Sequence, residues 1–168
     1  DVLSRYFGAA KENDLDVVVR ITSDCPLIDP AVVDNVIGAY LENAKSCDYV
    51  SNCLKRTFPR GMDTEVFPLS LLEQVCCEAL EQPYREHVTL YIHEDSQRFC
   101  LLNVAFERDE SHQRWTVDTP EDFKLIEHIL ETLYPINPYF EIEDVLALMK
   151  VQPNWFKINS QIEQKKFR

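Results

Sequence analysis

The stretch from Asp16 to Pro30, DVVVRITSDCPLIDP, decides the fold class of this chain. The β-branched block from Val17 to Ile21 is typical of a short strand that is covered on both faces. After a short loop, Asp29 and Pro30 supply an N-cap and a first helical residue, which predicts a helix running to about Asn43. A strand, a loop and a helix in this order indicate an α/β domain.

Helical and extended patterns alternate along the rest of the chain. The predicted helices are 1–13, 69–80, 120–133 and 142–150, and the further predicted strands are 48–51, 64–67 and 99–106. We therefore predict one α/β domain over residues 1–160, with a mainly parallel sheet, helices on both faces and a polar tail at 161–168. Because the domain begins with a helix and has only 3 glycines, we expect its first βαβ unit to be missing.

The composition excludes several classes of protein. The 168 residues include 17 Lys and Arg against 29 Asp and Glu, a net charge of -12 that disfavours binding to nucleic acid or anionic lipid. No stretch approaches the roughly 18–20 apolar residues that a membrane span requires. We expect a cytoplasmic protein with no nucleic-acid or membrane partner.

Six cysteines occur in the chain, and none has the C-x-x-C spacing of a zinc or dithiol redox site. Long periodic segments also argue against a small exported disulfide scaffold. We therefore expect reduced thiols at positions 25, 47, 53, 76, 77 and 100.

Two acidic residues are candidate metal ligands. Asp24 follows the strand that begins at Val17, and open α/β sheets bind ligands beyond the carboxyl ends of their strands. Asp118 lies directly before the helix that begins at Pro120, and we interpret it as a second carboxylate at a strand end. Two such carboxylates facing one cleft could bind the phosphates of a substrate through a shared cation. The alternatives are that Asp24 caps a turn and that Asp118 or Thr119 is the helix N-cap.

Two further runs contain candidate substrate-binding residues. Asp63 and Glu65 alternate along an extended segment, so both could face a sugar and accept hydrogen bonds from its hydroxyl groups. Arg85 and His87 lie within one helical turn of each other and could bind a carboxylate or a phosphate. The alternative for the run with Asp63 and Glu65 is a solvated strand face, and the alternative for the run with Arg85 and His87 is an ordinary surface helix.

Taken together, these runs resemble the cytidylyltransferase family that includes the CMP-Kdo and CMP-acylneuraminate synthetases, and most closely its spore-coat polysaccharide branch. The resemblance rests on residues 1–6, 20–30, 60–66, 85–89 and 116–123, which stand in the family's order. It implies a Rossmann-like nucleotidyltransferase fold. It also implies transfer of a cytidylyl group from CTP to a sugar acid such as a nonulosonate or Kdo, with release of pyrophosphate.

The resemblance implies a site as well. Asp24 and Asp118 match the family's catalytic, metal-binding positions, and Mg²⁺ is the implied cofactor. The implied substrate-binding residues are Arg20, Arg60, Asp63, Glu65, Arg85, Glu86, His87 and Thr89. The implied partners are CTP and a sugar acid, and we expect a homodimer with residues 99–113 at its interface.

The sequence departs from the family at its amino-terminal end. Nothing in it corresponds to the basic, Pro-Gly-Lys-like loop with which the family binds the triphosphate. The chain is therefore either a fragment of a longer reading frame, which Asp1 in place of Met favours, or a protein that has lost nucleotide binding, and we expect poor catalysis. A non-catalytic binding domain is one alternative, and it would keep Asp63, Glu65 and Arg85 in one pocket but leave the two aspartates dispersed or in caps. A glycosyltransferase that uses a nucleotide sugar is the other.

Overall fold

The structure is a computed structural model and describes residues 1–163, so most of the predicted polar tail lies outside the described residues. The helices are α1 (Val2–Glu12), α2 (Pro30–Asn43), α3 (Leu69–Glu78), α4 (Gln82–Glu86), α5 (Leu90–Glu94), α6 (Pro120–Leu133) and α7 (Ile142–Val151), followed by a 3-10 turn at Trp155–Ile158. The strands are β1 (Val17–Arg20), β2 (Tyr49–Ser51), β3 (Glu65–Pro68) and β4 (Leu101–Asn103). Within the described range, helices and strands alternate only from α1 to β2, since β3 follows β2 directly, three helices stand between β3 and β4, and two helices follow β4.

The four strands form one sheet in the order β1-β3-β2-β4. Strand β3 pairs antiparallel with both β1 and β2, whereas β2 and β4 are parallel. Three strands therefore point the same way, and β3 runs against them. The predicted α/β class is confirmed, and the antiparallel β3 is the exception within a sheet whose other strands share one direction.

Helices cover both faces of the sheet, as predicted. On one face, α1 and α3 pack against Tyr49 and Phe67, and on the other α2 places Val36 and Tyr40 against Val50. A third apolar cluster surrounds the fully buried Trp115 and includes α6 and α7. Burial of these apolar side chains provides the main driving force for folding.

Two helix starts agree with the capping residues expected from the sequence. The Asp29 carboxylate accepts from the Ala31 N–H at 2.7 Å and from the Ile142 N–H at 2.8 Å, so it joins the start of α2 to the start of α7. At α6, Thr119 is the N-cap and forms a capping box with Asp122. These caps fix the starts of α2 and α6 next to the loop that carries Asp24.

Other segments differ from the expectation. The strand expected at 99–106 is limited to β4, and the segment 116–118 belongs to no strand. Arg60 and Arg114 form one isolated parallel bridge instead. Of the helices in the described part of the chain, none combines the length and the apolar character that crossing a membrane requires.

Candidate functional site

A small polar cleft lies beyond the carboxyl end of β1. Its volume is about 120 Å³, and we name it the carboxylate cleft. It is lined by Thr22, Asp24, Cys25, Arg60, Gly61, Asp63, Thr116 and Asp118. Four of the residues that the sequence singled out therefore meet in one place: Asp24, Arg60, Asp63 and Asp118.

Asp24 joins two distant parts of the chain. Its backbone carbonyl accepts from the Val117 N–H at 2.9 Å, and the Thr116 hydroxyl lies 3.2 Å from its Oδ2 atom. Burial opposes ionisation of this carboxyl group, but hydrogen bonds from Thr22, Thr116 and Cys25 outweigh it and lower the pKa of Asp24. Asp24 is thus a carboxylate at neutral pH, and its side chain faces the cleft.

Asp118 also lines the cleft and has a side chain that is 46% exposed. It does not cap α6, because the N-cap is Thr119. Its Oδ2 atom accepts from Arg114 Nη2 at 2.6 Å. The expectation that a strand leads into Asp118 was wrong, since this segment is held by single hydrogen bonds to Arg60 and Asp24 rather than by a ladder.

A buried polar group supports Asp118 from behind. Arg114 makes two hydrogen bonds of 2.9 Å to Asp122, whose side chain is fully buried. Asn159 donates to Asp122 at 2.8 Å and to the Arg114 carbonyl at 2.9 Å. Burial opposes ionisation of Asp122, but the hydrogen bonds from Arg114 and Asn159 prevail and lower its pKa. The Arg114 guanidinium is therefore held rigidly where it meets Asp118.

The cleft also contains a positively charged side chain, that of Arg60. Asp63 is bound by Arg56 through two hydrogen bonds of 2.5 and 2.7 Å. Burial and the positive charges of Arg56 and Arg114 lower the pKa of Arg60, and the negative charge of Asp63 only partly opposes them. Over residues 1–163 its guanidinium makes no hydrogen bond. Arg60 is thus a cation placed to receive an anionic group from a ligand.

Gly61 allows the cleft wall to approach the Trp115 backbone. Its φ is +102°, and a Cβ atom there would lie 2.6 Å from the Trp115 carbonyl oxygen. Both the φ value and the close contact with a backbone atom require glycine at this position.

Replacing Gly61 with alanine is expected to reduce the free energy of unfolding by about 1–3 kcal/mol, because a strained φ and a backbone clash are introduced together. Urea denaturation measures this change. The matched control is Gly8→Ala in α1, where an added Cβ meets nothing within 4 Å and a gain of about 0.5–1 kcal/mol is expected from helix propensity. Equal effects at the two positions would contradict the assigned role of Gly61.

Three of the predicted substrate-binding residues form a separate buried cluster. Glu65 is only 4% exposed and accepts hydrogen bonds from Arg20, from Tyr49 and from Thr89, the last at 2.7 Å. Strand pairing places Arg20 directly opposite Glu65, and the ion pair holds this carboxylate outside the lining of the cleft. The geometry of the cleft therefore does not support the interpretation that Glu65 and Asp63 face the same ligand, which stays a prediction.

The residues around α4 also lie outside the cleft lining. Arg85 bonds to Asp1 at 2.7 Å and to the Cys76 carbonyl at 2.8 Å, so it joins α4 to α1 and α3. Glu86 is exposed at the end of α4, and His87 is the C-cap of that helix. Substrate binding by Arg85, Glu86 and His87 stays a prediction, and the geometry of the cleft does not support it.

Some site residues were not identified from the sequence. Arg56, Arg114 and Asn159 position the acidic groups, and Thr22 and Thr116 bind Asp24. A signal for Arg114 was present, because it stands four residues before Asp118 and eight before Asp122. No such signal existed for Asn159, which reaches Asp122 from 37 residues away.

The side chains of the cleft are suited to a hard divalent cation. Within the described residues no group of three or more His, Cys, Asp or Glu side chains could hold a metal ion. Mg²⁺, however, usually takes one or two protein carboxylates and completes its shell with water and substrate phosphates. Asp24 and Asp118 supply two such carboxylates in one cleft, which fits this ion.

Comparison with known proteins gives concordant matches. The sequence profile of a family described as Cytidylyltransferase matches residues 1–155. An uncharacterised protein of Methanocaldococcus jannaschii is 34% identical over 170 residues, and the spore coat polysaccharide biosynthesis protein SpsF of Bacillus subtilis is 32% identical over 156 residues. A solved structure of a cytidylyltransferase from Leptospira borgpetersenii superposes with a TM-score of 0.88 at 34% identity.

The chain is shorter than each of these proteins. The matches cover 100%, 91% and 99% of the chain, but 67% of the archaeal protein, 62% of SpsF and 68% of the solved chain. The comparisons do not bear out the expected loss of a first βαβ unit, which stays a prediction.

Proposed function

Because the chain belongs to the cytidylyltransferase family, we propose that it carries the acidic, metal-binding part of an enzyme that transfers CMP from CTP to a sugar acid. Pyrophosphate is the second product of this reaction. The observation that carries the proposal is the convergence of Asp24 and Asp118 in the carboxylate cleft, next to the cation of Arg60.

The proposed roles follow from the contacts in the cleft. Asp24 and Asp118 would hold Mg²⁺, which when bound neutralises charge on the phosphates of the nucleotide. Arg60 would bind an anionic oxygen of a substrate, either from a phosphate or from the carboxylate of the sugar acid. Arg114 keeps the Asp118 carboxylate in one orientation through the 2.6 Å hydrogen bond. Positioning and charge neutralisation supply most of the catalysis in reactions of this type.

Some finer parts of the proposal rest on the family alone. We propose a role in surface polysaccharide synthesis on the strength of the likeness to SpsF, a polysaccharide biosynthesis protein by name. A cytoplasmic location and a homodimer are proposed with it.

The geometry favours the enzyme over the non-catalytic binding domain. That hypothesis required Asp63, Glu65 and Arg85 to share a pocket and the two aspartates to lie apart or in caps. Instead, Glu65 and Arg85 have other partners, and Asp24 and Asp118 line one cleft. The family match likewise argues against a glycosyltransferase.

The proposal predicts that metal binding depends on both aspartates. Mn²⁺ serves as a probe for Mg²⁺, and its electron paramagnetic resonance signal reports the fraction of the ion that is free. Asp24→Asn and Asp118→Asn are each expected to weaken Mn²⁺ binding by about 10–100-fold, because each removes a charged oxygen ligand.

The control is Asp14→Asn, which makes the same change in charge at an exposed position with a φ of 50° that asparagine tolerates. It should leave Mn²⁺ binding unchanged. If all three variants bind Mn²⁺ as the unmodified chain does, the metal-binding role of the cleft is refuted. Calorimetry with CTP and Mg²⁺ then tests whether the nucleotide binds at the same place.

A further inference from the structure

Two cysteine thiols are in contact at the end of the sheet opposite to the carboxylate cleft. The Sγ atoms of Cys47 and Cys100 lie 3.5 Å apart, although the residues are 53 positions apart in the sequence. Cys47 precedes β2 and Cys100 precedes β4, so both stand at the amino ends of parallel neighbouring strands. Asp24 instead follows the carboxyl end of β1, which points in the same direction.

The backbone at both cysteines is fixed by hydrogen bonds. The Cys100 carbonyl accepts from the N–H groups of Asp48 at 2.9 Å and Tyr49 at 3.2 Å, and the Cys100 N–H donates to the Asp48 carboxylate at 2.8 Å. The Cys47 N–H donates to the Asn43 carbonyl at 2.9 Å. The contact between the thiols is therefore a property of the strand pairing. A disulfide, with its S–S bond of about 2.05 Å, needs the two sulfur atoms to move together by side-chain rotation.

Small reagents can reach this pair. Cys100 is exposed and Cys47 is half-buried, whereas Cys25 is buried. The pKa of the Cys47 thiol is raised by burial, by its hydrogen bond to Cys100 and by the charge of that neighbour. Cys100 is accordingly the thiol that first meets a reagent in solution, and Cys47 lies in contact with it as a resolving thiol.

We propose that Cys47 and Cys100 form a site of reversible oxidation, in which a low-molecular-weight disulfide such as oxidised glutathione converts the thiol pair into an intramolecular disulfide. In the first exchange the Cys100 thiolate attacks the reagent, a mixed disulfide forms and one glutathione thiol leaves. In the second the Cys47 thiolate attacks the Cys100 sulfur and releases the second glutathione thiol. Two protein thiols and one glutathione disulfide thus give one protein disulfide and two glutathione thiols.

The other cysteines provide an internal comparison. Cys77 is exposed like Cys100, and its sequence neighbour Cys76 precedes it on the same helix, where adjacent side chains do not face each other. Cys77 should therefore take up glutathione without forming an internal disulfide. The site does not depend on the proposed nucleotidyl transfer, because it lies at the other end of the sheet.

The test is peptide mapping by mass spectrometry after the native chain is treated with oxidised glutathione and the remaining thiols are alkylated. A peptide that links Cys47 to Cys100 is expected in excess of any other linked pair by about tenfold or more, with a mixed disulfide at Cys77. In Cys47→Ser the mixed disulfide at Cys100 should accumulate, and in Cys100→Ser the linked peptide should vanish while Cys77 reacts as before.

Two results would overturn the proposal. One is modification of Cys77 with no peptide linking Cys47 to Cys100. The other is a stable glutathione adduct at Cys100 that accumulates in the unmodified chain as much as it does in Cys47→Ser. That result would mean that Cys47 does not attack the mixed disulfide at Cys100.

Discussion

Asp122→Ala is expected to lower the free energy of unfolding by about 3–5 kcal/mol, the range typical for removing one partner of a buried ion pair. The Asp122 side chain is fully buried and accepts from Arg114, Asn159 and the N–H groups of Asp118 and Thr119. Without it, the buried Arg114 loses two hydrogen bonds to a buried carboxylate, while the Asp118 carboxylate to which it also donates is half-exposed. Chemical denaturation followed by circular dichroism measures the loss.

The matched control lies in the neighbouring helix. Asp144 occupies the same capping-box position in α7, accepts from the Glu141 N–H at 2.9 Å and is exposed. Asp144→Ala removes a cap and no buried charge, so a loss of about 1 kcal/mol is expected. Similar losses for the two variants would show that Asp122 acts only as a helix cap.

The loss of stability caused by Asp122→Ala should also depend on pH and become smaller in acid. Because the pKa of Asp122 is lowered in the folded chain, its carboxylate contributes stability above the unfolded pKa of about 3.9. That contribution is lost as the pH falls through the folded-state pKa. The difference in stability between the unmodified chain and Asp122→Ala should therefore be full at neutral pH and shrink in acid.

Glu65→Ala is the second change with a large expected effect, also about 3–5 kcal/mol. It leaves the partly buried guanidinium of Arg20 without its carboxylate and removes the acceptor for the Thr89 hydroxyl group, while the Tyr49 hydroxyl group keeps its contact with His93 Nε2 at 2.8 Å. Unpaired donors in a buried site carry a desolvation cost that no new bond offsets. The same denaturation experiment gives the value.

An exposed pair provides the comparison for Glu65. Glu78 binds Arg98 through two hydrogen bonds of 2.7 Å at the surface. Glu78→Ala should cost far less than Glu65→Ala, because exposed ion pairs are screened by water and salt. A loss at Glu65 as small as the one at Glu78 would mean that the buried cluster does not hold β1, β2 and β3 together.

Local capping chemistry made parts of the fold predictable. Asp29-Pro30 and Thr119-Pro120 each place a cap and a proline at a helix start, and both helices have the bounds expected from these residues. The block at Val17 forms a strand as expected. These signals depend only on neighbouring residues, which is why the sequence revealed them.

The direction of β3 and the surroundings of Glu65 were not predictable in the same way. Strand β3 has four residues, too few for its pattern to indicate with which strands it pairs. Glu65 meets Arg20 from 45 positions away and Thr89 from 24. Alternation along a strand indicates which side chains share a face, but it does not show whether that face meets a ligand or another part of the chain.

The lack of information about distant contacts also explains why only some of the residues around the cleft were expected from the sequence. Asp24 and Asp118 were expected in one cleft because α/β sheets bind ligands where a strand ends and a helix starts, and both residues do line the carboxylate cleft. Thr116 and Asn159 were missed because their roles arise only when distant segments meet, as in the contact of Thr116 with Asp24 over 92 positions. Arg85 was assigned to a ligand, yet it bonds to α1 and α3.

Binding of one divalent cation by both Asp24 and Asp118 can be tested directly in a crystal of the chain grown with Mn²⁺ and CTP, through the anomalous signal of the metal. A single strong peak is expected within coordination distance, about 2.0–2.3 Å, of a carboxylate oxygen from each of the two residues. A metal peak elsewhere on the chain, with both carboxylates in the contacts described above and no peak between them, would contradict it.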